Sequence, residues 1–535
     1  MIFDSKLPAR EFPQITLYNL LFENNKKFCS DRPCYIDAED HSQLITFGQV
    51  KDIADKFAAG IQHRFPGFKK GDVVAFYSGN NLFYAAAAHS PVIIGGVTTT
   101  IDASSDIESA AACLNTVNAK IIIVSVETID NALKAAKIAG IPVENIFVFG
   151  DDDVQGCQSF TKTFLNHNES VVPAVWSPEE LATAPCYLCF TSGTTGKKKA
   201  VTLTHKSLTS ALLLKDEWLP NTINMLAHTD FHHVSALLIT IHMNVFHGCT
   251  TFLLKKYTFE KMLLAIQECK INVMATQPWI AAAMAKEPVV DKYDLSSFNL
   301  AILGGSCIDK TVCMTFHKRF NAAIVSAYGM TECLNLLESS VIGTLKGELG
   351  CLSTGFSAKI IDENGNMVGY NQIGELCVKG PTLTPGYHNS PEINAVSFDK
   401  DGFLHTGDLF EINENGQVTF VDRIKDIIKY RYHHIPPQDI ENVLMLHPLV
   451  TDCAAIGVYS EEETSWTPRA FVLLSENNRD TEQVKKEIIK LVQEKLPDHK
   501  QLRGGLYIAK KLPRTSTGKV ERRTLRLPNI DEWVY

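Results

Sequence analysis

Short apolar runs alternate with helical patterns along most of this chain, and that alternation admits few folds. Asp72–Ser78 (DVVAFYS) reads as a buried strand, followed by an apolar helical run through Ala85–Ala88. Lys120–Ser125 (KIIIVS) and Asn145–Gly150 (NIFVFG) read as further strands, with a helix from Glu127 that stops at Gly140. The rhythm resumes after residue 200: helix 258–270, strand 272–276, helix 279–286, strand 299–303, helix 308–319, strand 322–327. Apolar runs of strand length, separated by amphipathic helices, predict βαβ units and mainly parallel sheets.

The texture changes after about residue 340. Turn signals crowd together at Asp362-Glu363-Asn364-Gly365-Asn366, Pro385-Gly386 and Asn413-Glu414-Asn415-Gly416, with short β-rich runs between them. A small antiparallel subdomain is expected there. Past residue 423 the pattern becomes α+β: helix 437–447, strands 453–459 and 469–475, helix 481–496, strand 505–510. Asp422-Arg423-Ile424-Lys425 is the expected hinge between a domain of residues 1–422 and one of residues 423–535. There is no repeat at a fixed period and no low-complexity tract.

Composition narrows the class. At about 150 residues per domain, a chain of 535 residues suggests three or four domain-sized units. At 45% hydrophobic and 21% charged it is neither disordered nor collagen-like. Fifty-one Lys and Arg against sixty Asp and Glu give a net charge of -9, which argues against a general nucleic-acid binder. The longest apolar stretch, Phe83–Val97, contains His89 and falls short of the about 20 residues a membrane span needs. The start, MIFDSKLPAREF, has no apolar core of a secretory signal, and Trp533-Val534-Tyr535 is not a peroxisomal tripeptide. Fourteen cysteines are too sparse for a disulfide framework and suit a reducing compartment. A cytoplasmic protein is expected, as monomer or homodimer.

The segment richest in chemistry is Tyr187–Leu208, YLCFTSGTTGKKKAVTLTHKSL. An apolar strand runs into Thr191-Ser192-Gly193-Thr194-Thr195-Gly196; three lysines and a second β-branched strand follow. Glycines let consecutive N–H groups turn into one concavity that suits phosphate oxygens. The hydroxyls add donors, and Lys199 can supply a point charge. This is not a Walker motif, which needs four residues between its glycines; only two separate Gly193 and Gly196. Gly304–Thr311 (GGSCIDKT) is a near miss with Asp309 at the second glycine. His228, His232 and His233 cluster without matching cysteine or carboxylate spacing, and Cys186 and Cys189 fall on opposite sides of a predicted strand, so neither group predicts zinc.

Five segments, in order, resemble the motifs of the adenylate-forming superfamily, the acyl-CoA synthetase, 4-coumarate–CoA ligase and luciferase-like branch. TSGTTGKKK resembles its phosphate loop, and Ala327-Tyr328-Gly329-Met330-Thr331-Glu332 its YGxTE motif. Leu404-His405-Thr406-Gly407-Asp408 resembles its TGD motif, DRIKDIIKY (422–430) its hinge, and PRTSTGKVER (513–522) its C-terminal lysine motif. The likeness runs from about Thr16 to Arg526. It implies an α/β fold: a large N-terminal domain of parallel-rich βα subdomains with a small β-barrel-like subdomain, and a small mobile α+β C-terminal domain.

The resemblance also implies a reaction. A carboxylic acid, aryl or fatty, and ATP give acyl-AMP and pyrophosphate; the acyl group then passes to CoA. Lys519 is similar to the lysine that bridges the carboxylate and the α-phosphate. Thr331 is similar to the α-phosphate hydroxyl donor and Glu332 to the Mg²⁺ carboxylate. Asp408 resembles the acceptor of both ribose hydroxyls and Arg423 the second ribose contact. Tyr328 is expected to stack on adenine, with Gly305-Ser306-Cys307 lining the other face. His233 matches the histidine that closes the acid pocket, with His232 as the alternative. Lys425 matches the hinge position and Lys429 a lysine of the second half-reaction.

Three departures from the family pattern stand out. Arg431-Tyr432-His433-His434 replaces Lys-Gly-Tyr-Gln, so a phenol stands where a glycine would line the thiol tunnel. Lys198 and Ala200 replace Pro and Gly in the phosphate loop, and Ser326-Ala327 replaces Gln-Gly beside the acid pocket. Tyr432 motivates the alternative of an adenylating enzyme whose acyl acceptor is a carrier-protein thiol or an oxygen. A non-catalytic nucleotide-binding protein is the third reading, and retention of Lys519, Glu332 and Asp408 argues against it.

Overall fold

The computed structural model describes residues 1–192, 198–216, 222–305, 310–475, 481–515, 518–527 and 533–534. Two seven-stranded sheets dominate. One runs, in spatial order, Lys198–Thr204, Pro185–Ser192, Val97–Ile101, Val73–Tyr77, Ala119–Val124, Ile146–Val148, Gln158–Ser159. All its pairs are parallel except the first. The other runs Ala323–Ser326, Leu300–Leu303, Val273–Thr276, Asn224–Ala227, Thr250–Leu253, Pro33–Asp37, Leu44–Thr46, parallel except at the last pair. Val73–Tyr77 is buried at every residue. A parallel strand covered on both faces loses the alternation of a half-exposed one.

Helices fill the space against these sheets. Phe47–Arg64 begins with a capping box between Thr46 and Gln49. Its buried face, Val50, Ile53, Ala54, Phe57, Ala58 and Ile61, follows helical spacing. Phe57 is fully buried against Phe160 and Phe164, with ring centroids 4.9 and 4.7 Å away. Truncating it to Ala would cost about 3–5 kcal/mol. The apolar run at Ala85–Ala88 closes helix Leu82–Ala87, with Ala88 as its C-cap; the helix is started by Asn81, whose side chain accepts the Tyr84 N–H at 2.8 Å.

The turn-rich segment forms a five-stranded antiparallel sheet: Ile2–Asp4, Ser357–Ile361, Gly374–Lys379, Leu404–Ile412, Val418–Arg423. Asp362 makes its first hairpin turn by accepting the N–H groups of Asn364 and Asn366.

Past Arg423 come the hairpin Ile428–Tyr430/His433–Ile435, helix Pro437–Leu444, antiparallel strands Val450–Ser460 and Ser465–Leu474, helix Thr481–Lys495, and strand Leu506–Ile508 parallel to the middle strand. Val450–Ser460 starts three residues before the expected 453, because Thr451 and Asp452 hide its beginning in the sequence; Asp452 pairs with Arg514. Asp422 joins the last strand of the five-stranded sheet to the first helix beyond it. Its Oδ1 accepts the Arg423 N–H and its Oδ2 the Gln438 N–H at that helix's start. Lys286, on helix Pro278–Lys286, donates to the carbonyls of Met445 (2.8 Å) and Val450 (2.6 Å). Among the described residues no helix is long and apolar enough to cross a membrane.

Candidate active site

The Thr406-Gly407-Asp408 segment is a bulge. Cys377 pairs with His405 and Glu375 with Leu409, so three residues stand opposite Leu376 alone. Bulges of this kind re-aim a side chain beside a site. Gly407 takes φ +71°, which favours glycine. The Thr406 hydroxyl donates to the Leu376 carbonyl at 2.7 Å, and the Gly407 N–H donates to Glu375 Oε1 at 2.9 Å. Asp408, so aimed, is buried; its Oδ2 accepts the Tyr328 hydroxyl at 2.7 Å and its Oδ1 lies 3.6 Å from Arg423 Nε, on its cross-strand partner. Burial raises the Asp408 pKa, opposed by Arg423, Tyr328, Lys519 and Lys425.

Thr331 and Glu332, both buried, occupy the turn between strands Gly329–Met330 and Leu334–Asn335. A Cβ on Gly329 would stand 1.8 Å from the Leu334 carbonyl oxygen, so only glycine permits this turn. Glu332 is held twice by one neighbouring segment: Thr384 N–H donates to its backbone carbonyl, and the Tyr387 hydroxyl donates to its Oε1, each at 2.7 Å. That segment is itself laced to strand Lys198–Thr204, with Thr384 Oγ1 on the Thr202 carbonyl and His388 N–H on the Ala200 carbonyl. Lys199 Nζ sits 5.2 Å from the Tyr387 ring centroid. Burial raises the Glu332 pKa, offset by Tyr387, Lys519 and Lys199.

Lys519 reaches this cluster from the C-terminal part of the chain. Its Cε lies 3.7 Å from where a Cβ on Gly305 would stand. Thr515 N–H donates to the Lys519 carbonyl, and Arg514 Nη1 to the Gly518 carbonyl, which brace the turn. Gly518 packs on Gln277 and Trp279, and the Arg514 guanidinium lies 5.0 Å from the Trp279 ring centroid. Burial and the Arg423 charge push the Lys519 ammonium down to about 8, while Asp408 and Glu332 pull the other way.

His233 caps the short helix Val234–Ala236. Its Nδ1 lies 3.3 Å from the Ser235 N–H and 2.6 Å from the Ser235 hydroxyl, both donors to it. Nδ1 therefore carries no proton, and the neutral ring keeps its proton on Nε2. Burial, His232 and Lys519 push His233 down to about 3. His232 instead faces Asp102, 3.7 Å away. The His228 ring meets the Thr276 hydroxyl at 3.1 Å.

Thr191 and Ser192 end strand Pro185–Ser192, while Gly193, Thr194, Thr195 and Gly196 lie outside the described residues, as do Ser306 and Cys307. The Tyr328 ring, expected to stack on adenine, packs edge-on against Phe410 at 4.9 Å. Lys425 and Lys429 are exposed on the chain that follows Arg423. Sequence reasoning missed Glu375, Tyr387 and Lys286. Tyr387 directly follows Pro385-Gly386, which was legible as a turn but not as a brace for Glu332.

Two buried carboxylates and a lysine from the C-terminal part of the chain thus converge, with Glu332 braced by a segment laced to strand Lys198–Thr204. The fold and this cluster define an adenylate-forming enzyme. A family profile described as AMP-binding enzyme matches residues 21–388, and one described as AMP-binding enzyme C-terminal domain matches residues 439–519; the chain belongs to this family. It is 29% identical over 545 residues to a 4-coumarate–CoA ligase of Pinus taeda, covering 98% of this chain and 97% of that protein. It is 30% identical over 514 residues to the phenylacetyl-CoA ligase epaB of Aspergillus niger, covering 92% and 93%. Its fold is similar to that of the anthranilate CoA ligase AuaEII in complex with anthranoyl-AMP, with a TM-score of 0.87 at 21% identity over 97% of each chain.

Proposed function

We propose that this enzyme joins a carboxylic acid to AMP and then transfers the acyl group to CoA. The observation that carries the proposal is the convergence of Lys519, Glu332 and Asp408, which influence one another electrostatically across the two parts of the chain. A carboxylate oxygen attacks the α-phosphorus of ATP and pyrophosphate leaves. Charge grows on the α-phosphoryl oxygens and the leaving group, so positioning and fixed charge supply the catalysis. Lys519 supplies a cation at the reacting bond. Asp408 and Arg423 hold the ribose, and Thr331 donates to the α-phosphate. The His233 Nε2–H closes the acid pocket as a neutral donor. In the second step the CoA sulfur attacks the acyl carbon and AMP leaves, after the C-terminal domain has turned about residues 422–425.

Glu332 fits a Mg²⁺ ion. It is a buried carboxylate whose raised pKa marks charge that its neighbours do not fully balance, and a hard oxygen is what Mg²⁺ takes. When bound, the ion would offset phosphate charge.

A second reading rests on Tyr432. It is fully exposed at the tip of the hairpin Ile428–Tyr430/His433–Ile435, after Arg431 at φ +52°. A bulky ring there would narrow a thiol path and favour a non-CoA acceptor. Incubation with ATP, Mg²⁺, CoA and aryl and fatty acids tests both. The first reading expects AMP and acyl-CoA; acyl-AMP that accumulates regardless of CoA, with thioester restored by Tyr432→Gly, supports the second. No AMP with any acid refutes both.

A further inference from the structure

Three side chains with metal-binding atoms converge beside the bulge that carries Asp408. Glu375 and Cys377 are two residues apart on strand Gly374–Lys379 and share a face. His405 is the cross-strand partner of Cys377 and points to that same face. His405 Nδ1 lies 3.0 Å from Glu375 Oε2 and 3.5 Å from Cys377 Sγ, and the three atoms lie within 4.8 Å of one another.

One proton on His405 Nδ1 serves the Glu375 contact but not the Cys377 contact as well. If His405 Nδ1 carries a hydrogen toward Glu375, the Cys377 thiol cannot donate to that nitrogen. If it carries none, its lone pair faces a carboxylate. A cation at the point of convergence would satisfy all three lone pairs at once.

The spacing suits one kind of cation. With Zn–S of about 2.3 Å and Zn–N or Zn–O of about 2.0–2.2 Å at tetrahedral angles, sulfur and nitrogen stand about 3.6 Å apart and nitrogen and oxygen about 3.4 Å. The first separation is already in place; the second must open by a few tenths of an ångström and the sulfur–oxygen pair, within 4.8 Å, must come to about 3.6 Å, through shifts of the Glu375 and His405 side chains. A sulfur ligand with one imidazole and one carboxylate selects a borderline or soft metal over Mg²⁺. The His405 side chain keeps 30% exposure and gives an entry path, whereas Cys377 is fully enclosed. Lys359, paired with Cys377 on the other side, would repel an ion, but its charge is matched by Asp399. The second Glu375 oxygen already accepts the Gly407 N–H, which orients the carboxylate.

We propose that Glu375, Cys377 and His405 form a binding site for a divalent transition-metal ion of the Zn²⁺ class, with its fourth position open to water. Binding replaces the Cys377 thiol proton with the metal and leaves the His405 proton on Nε2. The ion would pin His405 to the neighbouring strand, one residue before the bulge that aims Asp408.

Chelator-stripped full-length protein titrated with Co²⁺, a visible stand-in for Zn²⁺, tests the site. A thiolate-to-cobalt absorption band saturating at one equivalent, and bleached by Zn²⁺, is the expected result. Cys377→Ser should abolish the band. His405→Gln, which keeps the thiol, should weaken binding at least tenfold, and thermal unfolding reports whether each variant is folded. If Cys377→Ser does not fold, His405→Gln and Glu375→Gln decide. Absence of a thiolate band, a band undiminished in Cys377→Ser, or unchanged affinity in both His405→Gln and Glu375→Gln would overturn the assignment.

Discussion

The Tyr328 hydroxyl donates to Asp408 Oδ2 across 2.7 Å, tying together two motifs that lie 80 residues apart. The bond fixes one oxygen of a buried carboxylate and leaves the other toward Arg423. A hydrogen bond to a charged group contributes about 1.5–3 kcal/mol. Tyr328→Phe should therefore raise the KM for ATP about tenfold or more, with a smaller change in kcat. Steady-state kinetics in ATP check this; an unchanged KM would remove Asp408 from the nucleotide site.

Tyr387 bears on Glu332 in the same way. Tyr387→Phe should reduce adenylation about tenfold to a hundredfold, by the same charged-bond estimate. The loss should be partly recovered at high Mg²⁺ if Glu332 is the metal's carboxylate. A titration of rate against Mg²⁺ separates this from a simple loss of stability.

In the proposed role Lys519 acts only while protonated, and its surroundings hold it down to about 8. Raising the pH through that value removes the cation, so kcat/KM, which reports the free enzyme, should fall about tenfold per unit above it. Lys519→Arg should abolish that alkaline limb, because a guanidinium stays charged. His233, pushed down to about 3, should contribute no limb between pH 5 and 8. A pH profile of wild type and Lys519→Arg is the measurement.

Lys286 holds the C-terminal part in place through the Met445 and Val450 carbonyls beyond helix Pro437–Leu444. A lysine there also favours the negative helix end. Lys286→Met should slow acyl-AMP formation about tenfold while ATP affinity, measured by titration, stays the same. Equal loss of both would mean that Lys286 supports the large domain instead.

Much of this was legible in the sequence where a signal was local. Asp72–Ser78 has the length and apolarity of a covered strand, and the Asp362–Asn366 turn carries its own hydrogen-bonding side chain. Other features depend on partners distant in sequence. Strand Ile2–Asp4 has three residues and earns its place only by pairing with Ser357–Ile361. Glu375 reads as an ordinary strand residue until the bulge delivers the Gly407 N–H to it. Tyr387 and Lys286 likewise become meaningful through contacts 55 and 159 residues away.

ATP–pyrophosphate exchange across a panel of aryl and fatty acids, run on wild type and Lys519→Ala, isolates the first step from the identity of the acceptor. The account predicts acid-dependent exchange in wild type and a hundred- to thousandfold loss in Lys519→Ala, the about 2.7–4 kcal/mol that one charge-stabilising contact supplies. Wild type silent with every acid, or Lys519→Ala exchanging at the wild-type rate, would contradict it.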